Sequence, residues 1–181
     1  ARGGARESYE RVHECEGGGA DMVAHEGLAW LGKAENPDIV ARSPALDMRP
    51  RWGGPNVAYT SAKYQMGLCI LGWGEEFKGR IAANAIWPRT AVATAAISNI
   101  LADAEAMKAC RKPEILAETA YRVLNKPAGS FTGNFLIDDT FLYEEGERDF
   151  EQYSYVPGIE LLPDFFVPDD VPAPPGVKIM N

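Results

Sequence analysis

Tyr59 and Lys63 are the residues of this sequence whose types and spacing best suit acid–base chemistry. They stand four residues apart at the start of a predicted helix, so both side chains project from one helical face. A lysine ammonium beside a phenol stabilises the phenolate and lowers the tyrosine pKa from its usual value of about 10. A tyrosine tuned in this way can exchange a proton with the oxygen of an alcohol or a ketone.

A serine hydroxyl could hold the same substrate oxygen. Ser43 follows a short apolar segment, residues 39–41, that we predict to be a buried strand. Ligands of open α/β sheets bind beyond the carboxyl ends of the strands, so Ser43 is suitably placed. The alternative is that the Tyr-x-x-x-Lys spacing arises by chance and Tyr59 only begins the apolar face of a buried helix.

Strands and helices alternate in the part of the chain that must position these side chains. The predicted strands are 39–41, 81–87 and 134–138. Apolar residues recur at spacings of three or four from Tyr59 to Phe77, which predicts a helix that is apolar on two faces. A second helix is predicted after Pro113. This order predicts an α/β fold with parallel strands joined by right-handed crossovers.

Three segments of different composition divide the chain. Residues 1–27 are charged and glycine-rich, and we predict a poorly structured lead-in there. Residues 28–143 carry the alternating elements. Residues 144–181 are rich in proline, acidic and aromatic residues, which predicts an extended tail that packs through its aromatic side chains.

The composition of the chain limits the classes of partner that it could bind. The 181 residues carry a net charge of −8, which argues against binding to nucleic acid or to an anionic membrane surface. No apolar segment approaches the roughly 20 residues that span a bilayer. The N-terminal residues have no signal-peptide pattern and the last five, VKIMN, carry no peroxisomal signal, so we expect a cytoplasmic protein.

Other polar residues are assigned no chemistry. His13, Cys15 and His25 lack a C-x-x-C pair and an evident fourth ligand, so no metal site is predicted. Arg89 is interpreted as a surface charge in a loop. Asp138 and Asp139 are expected to end a strand in solvent.

No glycine-rich phosphate turn follows a predicted strand, because Gly17-Gly18-Gly19 has no strand before it. The three predicted strands therefore correspond to half of a doubly wound, Rossmann-type sheet. We expect the N-terminal, nucleotide-binding half to be missing from this chain, with dinucleotide binding impaired as a result.

Five blocks of sequence, taken in order, resemble the short-chain dehydrogenase/reductase family and in particular its hydroxysteroid dehydrogenase-like branch. They are NPDIVARSPAL (36–46), AYTSAKYQMGLCILGWGEEFKG (58–79), NAIWPRTAVATAA (84–96), SFTGNFLID (130–138) and LLPDFF (161–166). The resemblance implies a Rossmann-type fold that binds NAD or NADP.

The resemblance also assigns roles to individual residues. It implies that Tyr59 is the catalytic acid/base, that Lys63 supports the phenolate and binds the nicotinamide ribose, and that Ser43 orients the substrate. The segment after the second strand would contact the nicotinamide carboxamide. Its candidate residues are Pro88, Thr90, Val92 and Thr94. The family has glycine where this chain has Arg89, and the spacing from Ser43 to Tyr59 is longer than the family usually shows.

The sequence therefore predicts an NAD(P)-dependent oxidoreductase that transfers hydride between its cofactor and an alcohol or ketone. The helix at 59–77 is expected to form a contact between copies of the chain, because the corresponding helix of the family does so. The alternative is a non-catalytic binding or scaffold protein that retains this helix.

Overall fold

The computed structural model describes residues 9–54, 56–95, 97 and 104–180. Among these residues, strands β1 (Asp38–Ala41), β2 (Ala82–Trp87) and β3 (Phe135–Ile137) form a parallel sheet in the spatial order β1-β2-β3. The predicted α/β class with about three parallel strands is thus confirmed.

Helices flank the sheet strands along the chain. Their bounds are α1 (Gly19–Leu31), α2 (Pro50–Gly53), α3 (Val57–Glu76), α4 (Ala104–Lys108), α5 (Glu114–Leu124) and α6 (Asp138–Glu144). A π-helical segment, Glu14–Gly18, precedes α1, and a 3-10 turn, Glu151–Tyr153, follows α6. No helix in the described part of the chain is long and apolar enough to cross a membrane.

Strand β2 is the central strand, and every one of its residues is buried. Its register against β1 places Asp38 opposite Ala82. Asn84 is the polar member of β2, and its side chain is satisfied: the amide donates to the carbonyl of Phe131 at 3.0 Å, and Oδ1 accepts from the backbone N–H of Asn134 at 3.2 Å. A buried polar group is tolerated when its hydrogen bonds are made.

The chain divides into two compact units. The first unit comprises the described residues of Ala1–Ala85 and Val123–Phe135. Its core centres on Ile70 of α3, which packs with Ala83 and Ala85 of β2. A Cβ added to Gly74 of α3 would lie 2.8 Å from the Cα of Gly133, so only glycine permits this approach of helix and backbone.

The second unit comprises the described residues of Ile86–Arg122 and Leu136–Asn181. Ile115, Leu142, Phe150 and Tyr153 form its core cluster. Trp87 packs edge-on against Phe166, with ring centroids 5.7 Å apart. Phe150, Tyr153 and Phe166 of the 144–181 segment therefore pack within this unit, whereas Tyr155 and Phe165 are exposed.

The lead-in differs from the expectation that residues 1–27 are poorly structured. From residue 9 onward the described part of this segment is helical and continues into α1. Good helix formers such as Ala, Met, Leu and Glu surround the glycines, and they outweigh the glycine penalty of about 1 kcal/mol per residue. The predicted boundary at residue 28 falls inside α1. The other domain boundary stays a prediction.

Candidate active site

Tyr59 and Lys63 lie in the first two turns of α3, on the same face of the helix. The ammonium nitrogen of Lys63 is 5.8 Å from the centre of the Tyr59 ring. The Lys63 side chain is 7% exposed, whereas Tyr59 is half-buried. The predicted pair is therefore brought together, with the lysine charge placed near the phenol.

Ser43 lies two residues beyond the end of β1 and reaches the same helix. Its hydroxyl donates to the carbonyl of Lys63 at 3.1 Å, and the residue is 1% exposed. Gly67 makes room for this loop, because a Cβ there would lie 3.0 Å from the Ser43 Oγ and 2.9 Å from Leu46 Cδ2. In this conformation the Ser43 hydroxyl is engaged with the helix backbone.

Glu16 is a site residue that the sequence did not predict. Its Oε2 lies 2.5 Å from the Nζ of Lys63, and the Glu16 side chain is 35% exposed. The segment around Glu16 also touches α3 elsewhere, since His13 Nε2 lies 3.0 Å from the Ser61 Oγ. The two partners are 47 residues apart in sequence. No local pattern signals this contact, which could have been found only from the packing of the lead-in helix.

A cavity of about 620 Å³ lies beside this ion pair in the first unit. Glu16, Met66 and the residues of β1 line it, together with apolar residues of α1. Met66 Sδ lies 4.0 Å from the Lys63 Nζ, so the cavity and the lysine share neighbours. Burial raises the pKa of Asp38, also in the lining, to about 6, although a hydrogen bond from Asn84 opposes the shift.

The four residues predicted after β2 fall in the second unit. Pro88, Thr90 and Val92 are buried, and Thr94 is half-buried. The segment is held by backbone hydrogen bonds, such as that from the N–H of Ala91 to the carbonyl of Leu162 at 2.8 Å. The Thr90 hydroxyl is buried and has no hydrogen-bond partner in the described part of the chain. The backbone N–H of Ile97 donates to the Thr94 hydroxyl at 3.4 Å.

A buried cluster of four charges lies in the second unit, where solvent-exposed charges were expected. Its members are Arg89, Arg111, Asp138 and Asp139. The expectation was wrong for Arg89, which is 3% exposed, and for both aspartates, which are 0% exposed. Asp139 accepts from Arg89 Nε at 2.7 Å and from Arg111 Nη1 at 3.1 Å. Paired partners from distant segments make the burial of these charges possible.

Asp138 differs from its neighbour. Its Oδ1 accepts from the backbone N–H groups of Arg89 at 3.0 Å and of Asp139 at 2.7 Å, while Oδ2 has no hydrogen-bond partner within the described residues. Burial, together with the adjacent Asp139 charge, raises the pKa of Asp138 to about 7. Within the described ranges, no group of three histidine, cysteine or acidic side chains is arranged to hold a metal ion.

No protein-family model matches this sequence. The chain is 49% identical over 147 residues to hydroxysteroid dehydrogenase-like protein 2 of Danio rerio, which covers 80% of this chain and 35% of that protein. The protein of the same name from Homo sapiens is 42% identical over 161 residues, covering 89% of this chain and 38% of the relative. The chain thus spans little more than a third of the length of these curated relatives.

The fold of the chain is also similar to that of a solved structure. The chain matches a short chain dehydrogenase from Mycobacterium thermoresistibile with a TM-score of 0.83 and 40% sequence identity. The match covers 96% of this chain and 61% of that protein. The resemblance predicted from the five sequence blocks is confirmed by these similarities.

Proposed function

Because this chain is similar in sequence to hydroxysteroid dehydrogenase-like protein 2 and in fold to a short-chain dehydrogenase, we propose that it carries the proton-transfer residues of an NAD(P)-dependent oxidoreductase. The substrate class is an alcohol or a ketone. Tyr59 exchanges the proton with the substrate oxygen, and Lys63 stabilises the phenolate that forms.

The observation that carries the proposal is the placement of Lys63 relative to Tyr59. The lysine ammonium lies 5.8 Å from the centre of the phenol ring and is largely withdrawn from water, although the Glu16 carboxylate 2.5 Å away offsets part of its charge. A nearby cation favours the charged form of a phenol. Without such a cation a tyrosine is a poor base near neutral pH, since its usual pKa is about 10.

The residues present fit one end of a nicotinamide dinucleotide. An ammonium group and a phenol are suitable partners for ribose hydroxyls, and the cavity of about 620 Å³ adjoins the lysine. The strands of the described residues are followed by Arg42, Pro88 and Asp138 rather than by a glycine-rich turn. These strand ends therefore supply no pyrophosphate cradle. The nicotinamide, when bound, would accept or supply the hydride.

Two further assignments follow from the resemblance and are proposals of their own. Ser43 would orient the substrate oxygen, which requires its hydroxyl to leave the carbonyl of Lys63. The segment with Pro88, Thr90, Val92 and Thr94 would contact the nicotinamide carboxamide. The buried Thr90 hydroxyl, which has no hydrogen-bond partner within the described residues, supports that assignment.

The proposed partner in self-association is a second copy of the chain. Val57, Leu68 and Leu71 of α3 are 65%, 59% and 52% exposed, and a helix of this type is expected to bury such residues. The exposed face lies on the helix that also carries Tyr59 and Lys63. Contact between two copies through α3 would therefore hold the site residues rigidly.

Titration with NAD and NADP, followed by tryptophan fluorescence, tests the proposal. Trp30 and Trp73 line the cavity beside Lys63, so binding there should change their emission. We expect saturable binding that is lost in Lys63→Ala. The matched control is Lys78→Ala, an exposed lysine just beyond α3. Saturable binding that survives Lys63→Ala unchanged, or no binding of either dinucleotide, would count against the proposed site.

A further inference from the structure

Arg111, in the second unit, has charged donors that no described residue satisfies. Its side chain is fully buried, and its Nη1 donates to Asp139 at 3.1 Å. The Nε and Nη2 atoms have no hydrogen-bond partner among the residues that the structure describes. These two nitrogens lie on one edge of the planar guanidinium, where their N–H bonds run in parallel. That edge is the fork with which arginine binds a carboxylate or a phosphate by two hydrogen bonds.

Arg111 is fixed at its backbone by hydrogen bonds and at its guanidinium by Asp139. The N–H of Arg111 donates to the carbonyl of Ala91 at 2.8 Å, and its carbonyl accepts from the N–H of Ala93 at 2.8 Å. The guanidinium carbon lies 5.8 Å from the centre of the Phe150 ring. Charged N–H groups are costly to bury without acceptors, so a rigid, unsatisfied fork indicates that an acceptor belongs there.

A cavity of about 100 Å³ lies against Arg111, and it has room for a small oxyanion. Arg148 and Lys178, both exposed to solvent, also line it, so the cavity opens to solvent. Asp149 and Glu151 line it as well. One of these carboxylates is engaged, since Glu151 Oε2 accepts from the N–H of Gly158 at 2.9 Å. The lining holds three cations against two carboxylates.

The charge cluster behind Arg111 adds to the positive balance. Two arginines face two aspartates, so the cluster is neutral when both carboxyls are ionised. Burial and the adjacent Asp139 raise the pKa of Asp138 to about 7, and a fraction of the molecules therefore holds Asp138 protonated near neutral pH. In those molecules the cluster carries a net positive charge, and its member Arg111 lines the cavity.

We propose that this cavity binds a small oxyanion, a carboxylate or a phosphate group, on the Nε and Nη2 edge of Arg111. Arg148 and Lys178 attract the anion at the mouth of the cavity. The shared chemistry is a pair of oxygens that accept two parallel N–H bonds. The site lies within the second unit, and none of the residues proposed above to bind the dinucleotide lines its cavity.

Isothermal titration of the full chain with sodium phosphate and, separately, with sodium acetate tests the proposal. Ionic strength is held constant with sodium chloride, because surface charge effects are screened by salt. We expect saturable binding at one site for at least one anion, and the two titrations distinguish a phosphate from a carboxylate ligand. The absence of saturable binding for both anions would show that water alone fills the cavity and would overturn the proposal.

Variants locate the binding. Arg148→Ala and Lys178→Ala should each weaken it by about two- to five-fold, the range expected of exposed charges. Arg111→Lys, which lacks the fork, should abolish measurable binding. Lys108→Ala, an exposed lysine of the same unit, is the control and should change nothing.

Circular dichroism melting establishes whether Arg111→Lys is folded. If that variant unfolds, the double variant Arg148→Ala/Lys178→Ala decides the location, because both side chains are exposed and neither belongs to the buried core. Binding with the same affinity in this double variant as in the unmodified chain would place the anion elsewhere and contradict the proposal.

Discussion

The carboxylate of Glu16 lies 2.5 Å from the ammonium of Lys63, the lysine on which the proposed proton transfer depends. Glu16 comes from the helical segment before α1, and Lys63 from the second turn of α3. The lysine is almost fully buried, whereas Glu16 is about one-third exposed. Any ligand that needs the Lys63 ammonium must therefore share it with Glu16 or displace that carboxylate.

Replacing Glu16 should make the Lys63 amine more available. In Glu16→Gln we expect Lys63 to react about two- to five-fold faster with an amine-directed acetylating ester, because a partly exposed ion pair contributes up to about 1 kcal/mol. Peptide mass spectrometry after timed labelling measures the rate. Glu14→Gln, an exposed carboxylate of the same segment, is the control. Equal Lys63 labelling in both variants would mean that Glu16 does not shield the amine.

Two glycines of α3 should respond in opposite ways to the same substitution. Gly74→Ala should lower the free energy of unfolding by about 1–3 kcal/mol, because the new Cβ would lie 2.8 Å from backbone of Gly133. Gly72→Ala should raise it by about 0.5–1 kcal/mol, since nothing lies within 4 Å and alanine favours the helix. Urea unfolding measures both. A destabilised Gly72→Ala or a neutral Gly74→Ala would contradict the packing described here.

Local patterns in the sequence were sufficient to predict the strands and α3 to within two residues at each end. Strand β2 is a mostly apolar run, interrupted by Asn84 and bounded by Pro88, and the apolar residues of α3 recur at spacings of three and four. These patterns involve residues that are close in sequence, so they can be recognised without knowledge of the fold. The same reasoning places Tyr59 and Lys63 on one face, although their catalytic roles stay predictions.

Contacts between residues far apart in sequence could not be predicted from local patterns. An isolated arginine costs free energy to bury, so the sequence alone favours a surface position for Arg89. It is buried because Asp139, 50 residues later, accepts its hydrogen bond. Glu16 and Lys63 are likewise far apart in sequence. Their contact depends on the helical structure of the lead-in, which its glycine-rich composition did not predict. Whether a charged side chain is buried or exposed depends on distant partners that no local sequence pattern encodes.

The exposed apolar face of α3 should govern self-association. Leu68→Glu/Leu71→Glu places two charges on this face. We expect the mass of the double variant, measured by size-exclusion chromatography with light scattering, to fall to that of one chain. Met48→Glu alters an exposed apolar side chain outside the helix and is the control. If the double variant keeps the mass of the unmodified chain, α3 is not the contact between copies.

The two adjacent aspartates should differ in how they affect stability as the pH changes. The pKa of Asp138 is about 7 in the folded chain against 3.8 without these surroundings, so the folded state holds this proton more tightly. Its contribution to stability is then complete below about pH 4 and is lost as the pH rises towards 7. Asp138→Asn keeps an acceptor for the N–H groups of Arg89 and Asp139 and never ionises.

At pH 8 we therefore expect Asp138→Asn to raise the free energy of unfolding by about 1–2 kcal/mol, and to have a smaller effect at pH 5. Asp139→Asn should lower it by about 3 kcal/mol at pH 8, because Arg89 and Arg111 lose their shared carboxylate inside the second unit. Urea unfolding at both pH values measures the difference. If Asp138→Asn is as destabilising as Asp139→Asn at pH 8, the ionised Asp138 carboxylate stabilises the folded chain there, and burial does not raise its pKa.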